Sequence, residues 1–520
     1  MKHIYIIIFM FLLLPLSAKA KSLASDDDRV LRIAFATNIV TLNPMKQLDL
    51  ISASVLSNIY DSLFYSQGIA KPTEPMLIDS YERLDNNIWR FSLRKKILFH
   101  NGKKLNAYDI KASLDYQRDN KRSKWANHLA FIEKIVIVNE YKFDIFTSGQ
   151  IDNLPEVLRI GYNYIMPSSH CKSGSDNLSE QNPIGTGPYQ LANKSADKIL
   201  LKRNPNYWGP QPFFDYIEYY YIPDDSKRLK MLQEGKIDIE TQFNTYKNIY
   251  QIDNPTFKVE KAMSSRVVFM EIVNGIKNRK SDGIFKNVLF RRALNLSINR
   301  DEIFTYVLFG NGIPLTSFVS PVFPAYDASL GYRYDLNQAK LLLEQSGYDS
   351  SEIIEIISPS GRYSKDYQVA KAVVSYYKAI GVNAKLELYN NWAEYQNVLH
   401  GNTDKQTFIA LIGFGVINFQ TLLEFYFGRE WERNRFADPE LKNKIQGLNY
   451  LAAQKKLDQE KKVAERVHKQ SYIIPLYNVM NVYGVNKSLD IHIRNDDLVN
   501  IYIVKHWNNK AINKYSFAGK

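Results

Sequence analysis

A single cysteine, Cys171, among 520 residues excludes an internal disulfide framework and any zinc site built on thiolates. Neither a Gly-x-Ser-x-Gly elbow nor a His-Glu-x-x-His helix occurs, and the eight histidines are dispersed, which leaves a hydrolase without its nucleophile or metal signature. His170 stands beside Cys171, but neighbours along an extended chain point to opposite faces, so the pair does not form a metal centre and Cys171 is read as a minor packing residue. No run, the apolar one near the start included, is long enough to supply the ~20 residues that cross a bilayer. Internal repeats and low-complexity tracts are absent from the sequence as well.

What is present begins with Met1-Lys2, an apolar run from Ile4 to Leu16, and the small-residue site Ala18-Lys19-Ala20. This pattern is a secretory signal over 1–20, with a mature chain starting near Lys21. Cys171 lies far from the cleavage site and no cysteine stands at the new N-terminus, so no lipid anchor is expected, and the product should be soluble in a Gram-negative periplasm. The remainder is longer than one hydrophobic core organises, and 45% apolar with 23% charged residues describes a globular protein of two or three lobes. A formal charge of +13 could serve nucleic acid, but export argues against that partner. The cations are scattered, with Arg94-Lys95-Lys96 among the denser groups, as on a solvated surface. The 35 tyrosines suit amphipathic binding walls and strand-rich cores alike.

Alternation of Leu31, Ile33 and Phe35 predicts a first strand, and Trp89, Phe91 and Leu93 opposite Arg90, Ser92 and Arg94 predict another. The latter should continue through Ile97-Leu98-Phe99-His100 into a tight hairpin at Asn101-Gly102. Asn106 is placed to cap a helix from Ala107, with Asp109 in its first turn. Val136–Val138 and Lys142–Thr147 form a further hairpin. The second half alternates strands with long helices. Phe290, Ala293, Leu294, Ser297 and Ile298 share a helical face, and Asp335 caps the helix carrying Leu336, Ala339 and Leu343. A strand at Ile353–Ile357, a helix with Val369, Ala370, Val373, Val374 and Tyr377 inward and Gly381 at its end, and a strand with Val382, Ala384, Leu386 and Leu388 on one face make a βαβ unit with parallel strands. Short strands return at Ile474–Tyr477, Val479–Val485 and Ile501–Val504. The chain is thus expected to cross between lobes near Arg266–Val273 and back near Tyr472–Tyr483, two connections that can hinge.

Four segments together resemble the family 5 bacterial extracellular solute-binding proteins, the periplasmic oligopeptide- and dipeptide-binding type. They are Trp89 through Phe99-His100-Asn101-Gly102-Lys103 to Asp109; Pro183-Ile184-Gly185-Thr186-Gly187-Pro188-Tyr189 followed by Arg203-Asn204-Pro205-Asn206-Tyr207-Trp208; Phe290-Arg291-Arg292-Ala293-Leu294 with Ile298-Asn299-Arg300-Asp301-Glu302; and Tyr334-Asp335 through Ala339-Lys340-Leu341-Leu342 to Gly347-Tyr348. The Gly-Thr-Gly-Pro-Tyr turn is no phosphate cradle, since no Lys-Ser/Thr follows; its glycines are read as permitting a strained turn between lobes.

The resemblance implies an α/β, two-lobed periplasmic binding protein fold of type II, large, with an extra N-terminal subdomain and mixed sheets. Lobe I would comprise 21–271 plus 479–520, with a β-rich subdomain inserted at about 60–180, and lobe II 272–478. It implies a binding component of an ABC importer that hands its solute unchanged to a permease in the inner membrane, acts as a monomer, and needs no cofactor, metal or catalytic residue. By similarity, Trp125 and Arg159 face the cleft from the first lobe, and Phe414, Gly415 and Asn418 from the second; Trp392 either packs its helix or stacks on the solute. An arginine there suits a carboxylate or phosphate. Peptide-binding relatives fix the free α-amine with an aspartate after the strand that matches Ile412–Phe419, where this chain offers only Asn418, and Ser317–Tyr326 lacks the arginine that some use for the carboxylate. The leading expectation is an oligopeptide or peptide-like solute. Nickel chelates, haem, glutathione and opine-like sugar phosphates stay open, with a metal-dependent hydrolase as the remote competitor.

Overall fold

The computed structural model describes residues 29–507, apart from internal stretches that include 121–122, 124–125, 160–162, 244–253, 274–282, 416–417 and 428–437. The signal-like segment 1–20 lies outside the described residues.

Two long antiparallel strands, Phe257–Val273 and Ile473–Asn486, form the middle of an 11-stranded sheet. On one side of them lie Phe408–Phe414, Ile354–Pro359 and Ala384–Tyr389; on the other lie Ile239–Glu240, Val30–Phe35, Tyr216–Tyr221, Lys198–Arg203 and Tyr189–Lys194, and the short Ile313–Pro314 pairs with Ile473–Asn486 off this path. Both long strands therefore belong to both lobes. Their ladder runs from Phe257 opposite Asn486 to Glu271 opposite Ile473, but the register shifts between Met263 and Val267. Ser264, Ser265 and Arg266 bulge there while the partner strand advances by Val479 alone, which weakens pairing at that point of the ladder.

Every residue from Val267 to Val273 is buried, as in a strand covered on both faces. One face packs Phe269, Ile357, Ala410 and Ile412 under Tyr395, Leu422 and Val463, and the other packs Val268, Met270 and Ile356 under Phe290, Val369 and Tyr377. The βαβ unit is present: Ile354–Pro359 and Ala384–Tyr389 run parallel, joined by the helix Asp366–Ile380, whose end is the left-handed Gly381 at φ +102°. Leu388 departs from the expected inward face and is exposed, because Ala384–Tyr389 is the sheet edge and Tyr389 turns inward instead.

In the first lobe a separate antiparallel sheet, Ile78–Asp85, Ile88–Leu93, Lys142–Thr147 and Ile132–Asn139, packs on the helix Ala107–Asp119. Trp89, Phe91 and Leu93 are its buried face, as the alternation requires. Asn106 caps the helix by accepting from the amides of Tyr108 (2.9 Å) and Asp109 (3.3 Å), and Asp109 returns a bond to the Asn106 amide at 3.1 Å. That reciprocal box sets the helix start.

Three expectations are corrected. Ile97–His100 is not a strand: Lys96 takes a left-handed φ of +66° and ends the run, leaving one bridge, Leu98 to Lys104, around the positive-φ Gly102. Ile501–Ile503 is a 3-10 turn capped by Asn500, and extension resumes only at Val504–Trp507. Gly185 and Gly187 adopt no left-handed backbone and do not join the lobes. They lie against the end of the helix Leu50–Ile59 in the first lobe, where a Cβ on Gly185 would run into the Ile59 carbonyl and one on Gly187 would sit 2.6 Å from the Asn58 oxygen. The requirement is close approach of two backbones, a use of glycine distinct from strain.

Candidate functional site

In open α/β sheets the loops that leave the carboxyl ends of parallel strands meet in one crevice, and that crevice takes the ligand. In the second lobe these ends are Pro359, Tyr389 and Phe414. After Pro359 the chain turns through Gly361, at φ +89°, and the buried carboxylate of Asp366 accepts from the amides of Gly361 (3.0 Å), Arg362 (2.8 Å) and Tyr363 (2.9 Å). This nest fixes Arg362 at the rim. Tyr363 lies flat on Gly413, where a Cβ would be 2.6 Å from its ring, and donates its hydroxyl to the Gly413 carbonyl at 3.2 Å.

Trp392 opens the helix Trp392–Leu399. Its ring stacks on Tyr395 at 5.6 Å, meets Tyr363 edge-on at 6.3 Å, and carries the Arg362 guanidinium 4.8 Å from its centroid. It therefore packs its own helix and supports a cation at once. Phe414 packs edge-on against Tyr426 at 5.5 Å. Gly415 faces the bulge of the long strand, with room for a Cβ only at 3.4 Å from that of Arg266.

The bulge is tied to the first lobe by the loop Arg494–Asp497. Asp497, itself at φ +63°, accepts from Ser264 Oγ at 2.8 Å and from Asn481 Nδ2 at 2.5 Å, so it bonds to both crossover strands. Arg266 Nη2 stands 3.7 Å from it. Burial pushes the Asp497 carboxyl up, against the pull of Arg266, Asn481 and Ser264. Two residues earlier, Asn495 accepts from the Ile69 amide at 2.7 Å, and Arg494 pairs with Asp496 while donating to the Ser66 carbonyl at 2.8 Å. One loop thus anchors the hinge to the N-terminal segment.

Between the lobes lies a cavity of about 420 Å³, walled by Ile69, Glu156 and Arg159 on one side and by Phe323, Asn418 and Glu460 on the other. Its size falls among small-molecule sites, roughly 300–1,000 Å³. A second, 60 Å³ pocket lined by Tyr65, Tyr164 and Arg494 shares Ile69 and Arg159 with it. Of the residues expected from sequence, Arg159 and Asn418 come together on the larger cavity, while Trp392, Phe414 and Gly415 gather beside Arg362 and Arg266 at the strand ends. Trp125 lies outside the described residues.

Arg159 is not an open anion hook. It donates through Nε to Glu156 Oε2 at 3.2 Å and through Nη2 to Oε1, and Thr73 donates to the same carboxylate. Burial opposes ionisation of Glu156, but the bonds and charge of Arg159, the bond from Thr73 and the charge of Lys456 outweigh it and hold the carboxyl below its usual range. Sequence reasoning missed Arg362, Arg266 and Glu460. Gly361 directly after a predicted parallel strand was the available signal for Arg362; Glu460 sits in a charge-rich helix with no such mark.

Cys171 is half-buried, with Sγ 3.7 Å from Ser113 Oγ and 3.5 Å from the Pro167 carbonyl, and burial pushes its thiol up to about 12. Among the described residues no group of three or more His, Cys, Asp or Glu could hold a metal, and no helix is long and apolar enough to cross a membrane.

The nickel-binding protein NikA of Staphylococcus aureus is 28% identical over 57% of this chain and 57% of its own length. The dipeptide-binding protein of Escherichia coli is 26% identical over 60% and 62%, so the chain spans less than two thirds of either relative. These relatives are binding proteins rather than enzymes. Among solved structures, the periplasmic binding protein DppA of Helicobacter pylori in complex with the peptide STSA superposes with a TM-score of 0.76 at 22% identity, covering 92% of this chain and 98% of that one. The fold is the two-lobed type II periplasmic binding protein fold expected from the sequence. Residues 73–431 match the model of the bacterial extracellular solute-binding proteins, family 5, and the chain belongs to that family.

Proposed function

We propose that this chain is the solute-capturing component of an ABC importer, which encloses an oligopeptide or peptide-like solute between its lobes and passes it, chemically unchanged, to a permease in the inner membrane. The observation that carries the reading is the cavity walled from both lobes beside a bulged pair of crossover strands. A solute bonded to both walls stabilises the closed form by contacts that the open form lacks, which is all that hinge closure requires. The peptide class is supported by the dipeptide-binding relative and by the likeness to a peptide-bound fold.

In this reading lobe I comprises 21–271 with 479–520, lobe II comprises 272–478, and a monomer works in the periplasm after removal of the signal at 1–20. Arg159 and Asn418 contribute to the lining, and Trp392, Phe414 and Gly415 stand at the strand ends of the second lobe. Native mass spectrometry of protein purified without denaturation, followed by calorimetry with peptides of two to eight residues, tests it. A retained peptide mass and micromolar or tighter binding are expected. A retained nickel chelate, haem or sugar phosphate, or conversion of the added peptide, would overturn the peptide class.

A further inference from the structure

The strand that leads to Asn418 brings no carboxylate to the cleft, yet the cavity is not without one. Glu460, on the helix Ala453–Gln470, lines it with only 9% of its surface exposed. Glu156, the other carboxylate of the lining, is consumed by Arg159 and Thr73. Glu460 has no hydrogen-bond or ion-pair partner among the described residues. Lys456, one turn earlier and on the same cavity, does not close an ion pair with it, although its charge reaches the carboxyl. Burial raises the pKa of Glu460 against that charge, so the neighbouring lysine does not offset the desolvation.

A buried carboxylate without a partner is costly, and the cost vanishes when a cation arrives with its own donors. Peptide carbonyls or an apolar solute would leave the carboxylate uncompensated when the lobes close. A solute with an ammonium or guanidinium group supplies the missing charge and two or three donors.

We infer that Glu460 is the counter-charge for a cationic group of the captured solute, so that a residue on the second lobe's long helix does the work for which position 418 has only an amide. The inference rests on the interlobe cavity being the solute site and names the charge that site selects. Asn418 then serves as a neutral neighbour, and Lys456 disfavours solutes with a second cation close by.

Three probes separate the outcomes: a random tripeptide library with free amines, the same library N-acetylated, and N-acetyl-argininamide, whose only charge is its guanidinium. Each is titrated into the mature wild-type protein, Glu460→Gln, and the exposed control Lys462→Gln on the same helix. Wild type and Lys462→Gln should prefer the free-amine library over the acetylated one, and Glu460→Gln should lose about tenfold or more of that affinity while circular dichroism stays unchanged and the melting temperature does not fall. Equal free-amine binding by wild type and Glu460→Gln overturns the inference and leaves the peptide reading standing. Binding of N-acetyl-argininamide but of neither library, lost in Glu460→Gln, overturns the peptide reading and supports the inference. Preference of the wild type for acetylated peptides, or failure to bind any cationic probe, overturns the inference outright.

Discussion

His100 Nδ1 accepts the amide proton of Gly185 at 3.3 Å while its Nε2 donates to the carbonyl of Gly187 at 3.1 Å, and the His100 amide bonds to the Gly185 carbonyl at 2.9 Å. Two sequence motifs far apart in the chain are therefore two halves of one contact. An acceptor at Nδ1 and a donor at Nε2 require the neutral ring, and burial lowers the His100 pKa to about 4 against the favourable bond to Gly187. Above the ordinary value of 6.5 this contribution to stability is complete; as pH falls toward 4 the unfolded chain takes up a proton that the folded one refuses, and the contribution is lost. Urea unfolding from pH 7 down to 4 should show a decline on the order of 3 kcal/mol in the wild type that is missing from His100→Gln.

Gly185→Ala places a methyl group into the Ile59 carbonyl, and neither backbone can withdraw because Gly187 also bonds to Ile59 at 3.0 Å. A loss of roughly 3 kcal/mol or more is expected. Gly102→Ala, at φ +79° with nothing near its Cβ, should cost only about 1 kcal/mol. Comparison of their chemical denaturation midpoints decides between close approach and conformational strain as the reason for the motif's glycines.

Removal of Arg159 leaves Glu156 charged on the cavity wall with only Thr73 donating to it. Arg159→Ala and Glu156→Gln should each destabilise by about 1–2 kcal/mol, and the double variant by clearly less than their sum. Additive losses in a thermal-melt cycle would show that the pair is not coupled.

Asp497 bonds to both crossover strands, so its loss should act on the hinge more than on either core. Asp497→Ala is expected to cost about 1–3 kcal/mol and to speed hydrogen exchange at Ser264–Arg266 and Asn481 ahead of the remaining amides. Unchanged exchange at the bulge would remove Asp497 from the hinge.

Local periodicity was enough for the elements whose burial is one-sided or flanked by a cap. The helix with Val369, Val373 and Tyr377 inward, its stop at Gly381, and the caps at Asn106 and Asp335 are all where the residues indicate. Prediction failed where a backbone conformation rather than a side-chain pattern decides: Lys96 breaks a strand by taking positive φ, and Asn500 turns Ile501–Ile503 into a helical turn by bonding to the Tyr502 amide. The site was legible in part. Arg159 and Asn418 do share a cavity, but that Arg159 is already paired depends on its neighbour Glu156 and on Thr73 from a distant loop. Glu460 was hidden among Lys455, Lys456, Asp458, Lys461 and Lys462, since a polar run does not announce which of its charges turns inward.

A crystal structure with a bound peptide tests the central claim most directly. Density for one peptide in the interlobe cavity, touching Arg159 or Glu156 from one lobe and Asn418 or Glu460 from the other, is the predicted result; a peptide held wholly by one lobe, or outside that cavity, would contradict it.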